Sequence, residues 1–138
     1  MSCKSNIFVA NTQANTVAAG GTLPLSTVVR RRGCELSQSG NSVAIADCGS
    51  NYYLVLVNAT FTAAAAGVAT LSIQQNGSAV TAGTASTTIT TATTEVRSLT
   101  IPVIVRTFNS CGIDAITVVN TGTIALNFTN IAVEVIKL

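Results

Sequence analysis

The sequence predicts an all-β protein, a sandwich or barrel of short strands in one domain. Thr, Val, Ile and Ala fill short runs that Gly, Asn and Ser interrupt, a composition typical of strands. No run carries the 3.6-residue period of an amphipathic helix. At 138 residues and 14.0 kDa, the chain suits a single domain. Strands of this length and spacing, without helices, are typical of sandwiches and barrels.

Each predicted strand is an apolar or alternating run that ends near a turn-forming residue. Gly20-Gly21 breaks the chain after the first strand, and prolines mark two others as edge or irregular strands. The predicted strands, in order, are Ile7–Val9, Leu23–Val29, Ser42–Asp47, Tyr52–Phe61, Val68–Gln75, Ser78–Val80, Glu95–Arg106, Ile113–Val119, Ile124–Phe128 and Ile131–Leu138.

The connections between these strands carry their own signals. Asn76-Gly77 predicts a tight hairpin, because both central residues of that turn need a positive φ. Ala63–Ala66 is too short for a helix and predicts a bridge between strands. Thr81–Thr94 is nearly all small residues and predicts a surface or tightly packed strand, with disorder as the competing interpretation. Asn109–Gly112 predicts a turn. The strand that runs to Leu138 is expected to be central, since free termini usually fray.

Charge and composition exclude several classes of function. Charged residues make up 9% of the chain, its net charge is +2, and it contains no His. A weak overall charge argues against nucleic-acid binding. Without His the chain lacks the usual general base and the commonest metal ligand, and its five carboxylates are scattered singly. We therefore expect no enzyme activity, no cofactor and no metal site.

The apolar runs are far shorter than the ~20 residues that span a bilayer, so no membrane segment is expected. The start of the chain lacks the long apolar core of a secretory signal. This predicts synthesis in a cytoplasm, with release by lysis or by assembly into a larger particle.

The four cysteines, Cys3, Cys34, Cys48 and Cys111, show no metal-binding spacing. A short segment that reads as two strands joins Cys34 to Cys48, and its geometry suits a disulfide between them. Synthesis in a cytoplasm favours reduced thiols instead, buried as small apolar groups. The sequence leaves both interpretations open.

The order of these signals resembles the tumour-necrosis-factor-like, complement-type jelly roll. The nearest version is the tip domain of bacterial spore-surface collagen-like glycoproteins and of related phage surface proteins. The resemblance covers about residues 20–138 and rests on pattern alone. Its segments are Thr27-Val28-Val29, Ser42–Ile45, Tyr52–Thr60, Leu71–Gly77, Ile116–Gly122 and Ile131–Leu138.

The resemblance implies a jelly-roll sandwich of about eight to ten short antiparallel strands that forms a compact homotrimer. The low charge agrees, because so few charged residues cannot cover a monomer of this size. The strand from Tyr52 is apolar on both faces, which predicts that both are covered. The resemblance divides the chain into an N-terminal attachment segment, 1–21, and a jelly-roll domain, 22–138.

Two groups of residues are candidates for binding a partner. Ile7, Phe8 and Val9 have no obvious strand partner, so the N-terminal segment is expected to add to a neighbouring particle or capsid protein, with a core strand as the competing interpretation. Arg30, Arg31 and Arg32 are the only charge run. They predict either a docking patch for an acidic surface or a solvated turn, which Arg97 and Arg106 extend only if the fold brings them near.

These observations lead to three hypotheses of function. The first is a structural protein on the surface of a phage virion, made in the host cytoplasm, such as a head fibre, decoration or knob protein. The second is a structural protein on the spore or cell surface of a Gram-positive bacterium. The third is a carbohydrate-binding attachment module with a glycan ligand.

Overall fold

The alternating and apolar runs of the sequence form eleven strands within the residues that the computed structural model describes, 4–107 and 111–138. Three of these strands are twelve residues long, so they are not all short. The strands are β1 Asn6–Asn11, β2 Asn15–Val17, β3 Thr27–Arg32, β4 Leu36–Ser39, β5 Ser42–Ile45, β6 Tyr52–Ala63, β7 Gly67–Gln75, β8 Ser78–Ile89, β9 Arg97–Arg106, β10 Asp114–Asn120 and β11 Leu126–Lys137.

The strands form two antiparallel sheets packed face to face. Sheet I has the order β3-β1-β11-β6-β9, with β2 also paired to β11, and sheet II has the order β4-β5-β10-β7-β8. One apolar core fills the space between the sheets. Strand β9 shows how it forms: Leu99, Ile101, Val103 and Val105 are buried, and the residues between them are exposed. The predicted all-β sandwich is confirmed.

Several predicted connections are present. Asn76 and Gly77 have φ values of 53° and 83°, as the hairpin turn between β7 and β8 requires. Strands β6 and β7 are joined through Ala64–Ala66. Strand β11 lies between β1 and β6, so the last strand is central as predicted. The turn predicted at Asn109–Gly112 lies partly outside the described residues.

Two predicted strands differ from the observed ones. The segment predicted as strand Leu23–Val29 becomes a strand only at Thr27, because Pro24 has no N–H for a ladder and restricts the residue before it. Leu23 and Leu25 are nonetheless buried on either side of this proline. Strand β8 extends through the small-residue stretch to Ile89 and forms an edge of sheet II.

The predicted N-terminal boundary does not separate two structural units. Strand β1 lies inside sheet I, between β3 and β11, and Ile7 and Val9 are fully buried. The prediction that this trio is an exposed strand without a partner is therefore wrong. The reason is long-range pairing: Ile7 is opposite Val135 and Val9 is opposite Val133, at the far end of the chain. Residues 4–21 belong to the two-sheet core.

The described residues include no helix long and apolar enough to cross a membrane.

Candidate functional site

The face of sheet I that points away from the core, called here outer face I, is apolar over much of its area. The antiparallel register places its side chains in rows across the sheet. One row is Phe8–Glu134–Leu56–Pro102, and the next is Asn6–Ile136–Leu54–Ile104. Its apolar members are Phe8, Ala10, Tyr52, Leu54, Leu56, Pro102, Ile104, Ala132 and Ile136.

These side chains are accessible in the single protomer. Tyr52 is 51% exposed and Ile104 is 56% exposed, while Leu54 and Leu56 are half-buried. Near the centre of the face, the side chains around Leu56 line a shallow hollow. The opposite side of β6 is different, since Tyr53, Val55 and Val57 are fully buried in the core. The structure thus identifies which face of this strand is internal, a choice that the sequence left open.

Glu134 is the one carboxylate on outer face I among the described residues. It is half-buried beside Phe8 and Leu56, and no hydrogen bond or ion pair to it occurs within the described parts of the chain. A carboxylate in an apolar setting loses hydration if the face is covered. Covering this face would therefore take Glu134 out of water.

The three arginines lie on an edge strand and not in the turn that was the alternative prediction. Strand β3 is the outermost strand of sheet I, and all six of its residues are exposed. Arg30 lies opposite Phe8 and Arg32 opposite Asn6, so both share outer face I, whereas Arg31 points the other way. Arg97 and Arg106 lie on β9, at the opposite edge of the sheet, and do not extend this patch.

Of the N-terminal trio, only Phe8 reaches outer face I, where it is half-buried. Ile7 and Val9 would have to leave the core to contact a partner.

The disulfide joins different cysteines from the predicted pair. Cys48 is bonded to Cys111, so the predicted Cys34–Cys48 bond is wrong. The cause is lateral pairing in sheet II: β5 and β10 are neighbours, with Ile45 opposite Asp114. This register brings the residues beyond each strand end together, although they are 63 positions apart. The disulfide predicted from closeness in the sequence is therefore not the one that forms.

A buried polar cluster joins the two sheets, and sequence reasoning missed it. The Tyr53 hydroxyl lies 2.7 Å from Glu35 Oε2 and 2.7 Å from Asp47 Oδ2. Lys137 Nζ donates to Glu35 at 2.9 and 3.0 Å and lies 3.6 Å from Asp47 Oδ2. Asn51 Nδ2 also donates to Asp47, at 2.8 Å. Only the fold brings these scattered residues together.

The cluster stabilises the charged forms of Asp47 and Lys137. Burial opposes ionisation of Asp47, but hydrogen bonds from Tyr53, the Gly49 N–H and Asn51 outweigh it and lower the Asp47 pKa. Burial likewise opposes the charge on Lys137, yet the Glu35 hydrogen bond and both carboxylates raise the Lys137 pKa. Burial, followed by the adjacent carboxylates, raises the pKa of Tyr53 far above its usual range. The cluster acts as a structural clamp between β6, β11 and the ends of sheet II.

No family model and no curated protein matches the sequence. Solved structures do match along nearly its whole length. PRD1 vertex protein P5 superposes with a TM-score of 0.68 at 15% identity, covering 100% of this chain and 99% of the other. The structure of murine APRIL at pH 5.0 gives 0.66 at 16% identity, covering 98% and 99%. The globular domain of zebrafish complement 1qA protein gives 0.55 at 10% identity, covering 95% and 94%.

The fold is the tumour-necrosis-factor-like jelly roll. The resemblance inferred from the order of strands is confirmed, and it extends to the N-terminal residues that the sequence pattern left out. At these identities the likeness establishes the fold of this jelly roll and nothing about its ligands.

Proposed function

We propose that this jelly roll assembles as a homotrimer through outer face I and serves as a structural protein on the surface of a phage particle. The observation that carries the proposal is the exposed apolar area around Tyr52, Leu54, Leu56 and Ile104. Contiguous exposed apolar patches are typical of interaction surfaces.

A closed ring of three copies would cover the apolar residues of outer face I in every protomer. Each protomer covers part of the next, and the ring leaves no apolar edge exposed. Covering outer face I also removes from solvent the second apolar side of β6, whose first side, Tyr53, Val55 and Val57, is already in the core. A strand that is apolar on both faces is then buried on both.

The place of the trimer on a virion is supported by the likeness to PRD1 vertex protein P5, which extends over the whole of both chains. A compact β trimer with little charge suits a decoration, head-fibre or knob protein. Its task there is to present a rigid body on the particle and to be held by an anchoring protein.

The oligomeric state is tested by sedimentation equilibrium of the wild-type protein and of two matched variants. Leu56→Asp places a charge on outer face I, and Thr70→Asp places one on the exposed face of sheet II. We expect a trimer for the wild type and Thr70→Asp, and a folded monomer for Leu56→Asp. The wild-type melting temperature should also rise with protein concentration, because dissociation is linked to unfolding. A wild-type mass of 14.0 kDa at micromolar concentration contradicts the trimer.

The location is tested separately by mass spectrometry of purified fractions from the organism that carries the gene. The virion fraction should contain the protein in stoichiometric amounts after induction of lysis. Its presence in spore coats or cell walls, and not in virions, replaces the phage hypothesis with the host-surface one and leaves the trimer unaffected.

A further inference from the structure

One edge of sheet I is formed by β3, which has a strand on one side only. It pairs with β1 through five registered positions and with no other described strand. All six residues from Thr27 to Arg32 are exposed. Along its outer side, the backbone N–H and C=O groups therefore face solvent, in the arrangement that another strand can complete.

This edge carries positive charge that no carboxylate of the described residues balances. The side chains of Arg30, Arg31 and Arg32 form no hydrogen bond and no ion pair with any described residue, although their backbones pair with β1. By contrast, Lys137 is bonded to Glu35, and Arg97 is bonded to Glu95 at 2.9 Å. The nearest carboxylate along the row of Arg30 is Glu134, two strands away, and the two do not form an ion pair.

The arrangement of these cations selects the chemistry of a partner. Alternation along β3 puts Arg30 and Arg32 on one face and Arg31 on the other, so the three guanidinium groups do not make one flat cluster. A phosphodiester or sulfated backbone gains most from cations on a single surface. A strand lying alongside β3 can instead place a carboxylate opposite each arginine, on either face.

We infer that the β3 edge binds an acidic, extended segment of a partner protein by strand addition. Backbone hydrogen bonds supply the pairing, and charge complementarity with Arg30, Arg31 and Arg32 selects acidic sequences. The inference places the anchoring contact on this edge and not on Ile7 and Val9, which are buried. The backbone ladder does not depend on the trimer, because the pairing edge belongs to one protomer, although Arg30 and Arg32 share outer face I.

A purely protective role is the competing account. Edge strands often carry charges and bulges that prevent pairing between copies of a protein. Strand β3 has both, since the register shifts between Phe8 and Val9. The two accounts differ in one respect: protection predicts that no strand pairs with this edge, and strand addition predicts that an acidic one does.

The experiment titrates the full-length protein with short capped peptides and measures affinity by calorimetry. The probe is TIEEETV, with the neutral TIQQQTV and a TIEEETV whose alternate amide nitrogens are methylated as controls. The methylated peptide keeps the charge but cannot complete the ladder. Oligothymidylate and a heparin fragment test polyanions. We expect TIEEETV to bind at least about tenfold more tightly than either control peptide, a difference well above measurement error. Amide exchange should slow within Thr27–Arg32 when it binds.

A variant combining Arg30→Gln, Arg31→Gln and Arg32→Gln should bind TIEEETV at least about tenfold more weakly than the wild type does. The control Arg97→Gln with Arg106→Gln removes exposed cations at the opposite edge of sheet I and should bind as the wild type does. Unchanged melting temperatures establish that both variants are folded. The inference is overturned if the methylated peptide binds equally well, if only the polyanions bind, or if no peptide binds. Aggregation of the triple variant together with absence of peptide binding establishes the protective role instead.

Discussion

The two solvent-facing sides of this jelly roll are built from opposite kinds of residue. Outer face I presents Tyr52, Leu54, Leu56 and Ile104. The corresponding face of sheet II presents hydroxyl groups that bond to one another: Thr70 Oγ1 lies 2.9 Å from Ser86 Oγ, and Ser72 Oγ lies 2.9 Å from both Thr84 Oγ1 and Thr121 Oγ1. Within the strands of sheet II, Asp114 is the single charged residue.

The difference shows which of the two outer faces has the polar residues of a solvated surface. An antiparallel sheet with one solvated side normally alternates apolar residues inward and polar residues outward, and most of sheet II follows that rule, with Val68 and Val119 as exceptions. Sheet I departs from it along the first half of β6, where Tyr52–Val57 are apolar on both faces. Since the two sheets share one core, the departure is a property of the surface. Under the proposed function, outer face I is the interface between protomers and the face of sheet II is the exterior of the assembly.

The sharpest test of the comparison uses two adjacent positions on β6. Val55→Asp puts an unpaired carboxylate into the core, which we expect to cost more than about 4 kcal/mol and to abolish folding. Leu54→Asp puts the same group on outer face I and should yield a folded monomer. Circular dichroism and sedimentation separate the two outcomes. If Val55→Asp melts like the wild type, the assignment of the faces is wrong.

Removal of the disulfide should weaken the fold without affecting the interface. The bond closes a loop of 63 residues at one end of sheet II, which in the chain-entropy model is worth about 4 kcal/mol. Cys48→Ser combined with Cys111→Ser should lower stability to urea by roughly this amount and leave the trimer mass unchanged below the transition. Dissociation under native conditions would mean that the two faces are coupled through this end of the molecule.

Acid should weaken the clamp between the sheets and leave the contrast between their faces intact. The pKa of Asp47 is lower in the folded protein than its ordinary value of 3.8, so the unfolded chain binds more protons in this range. The stabilisation is complete above that value and is lost as the pH falls through the folded pKa. Between pH 5 and about 2, the free energy of unfolding should therefore fall less with decreasing pH in Asp47→Asn than in the wild type. Equal pH dependence in both proteins would show that the ionised Asp47 carboxylate does not contribute this stabilisation.

The smallest expected effect lies on the face of sheet II. Ser72→Ala removes the hydroxyl that bonds to Thr84 and Thr121. We expect a loss of about 1 kcal/mol, typical of a partly buried hydrogen bond, with no change in oligomeric state. Urea denaturation measures the first and sedimentation the second. A change in mass with Ser72→Ala would show that sheet II also takes part in assembly.

The sequence by itself determined the all-β class, the hairpin at Asn76-Gly77 and the central position of the last strand. Each depends on a local pattern: alternation, turn residues that accept a positive φ, or an apolar run up to Leu138. The apolar character of Tyr52–Val57 also predicted that both faces of β6 are covered; the core covers the Tyr53 side, and the covering of the Tyr52 side stays a prediction. Local patterns suffice for these features because side-chain period and turn geometry are set within a few residues.

Only the tertiary structure decided the features that depend on pairing between distant residues. The pairing of β1 with β11 buries Ile7 and Val9, and the pairing of β5 with β10 brings Cys48 to Cys111. Tyr53 meets Glu35, Asp47 and Lys137 for the same reason. Strand register and order are set by the total burial of the sandwich, which no short segment encodes.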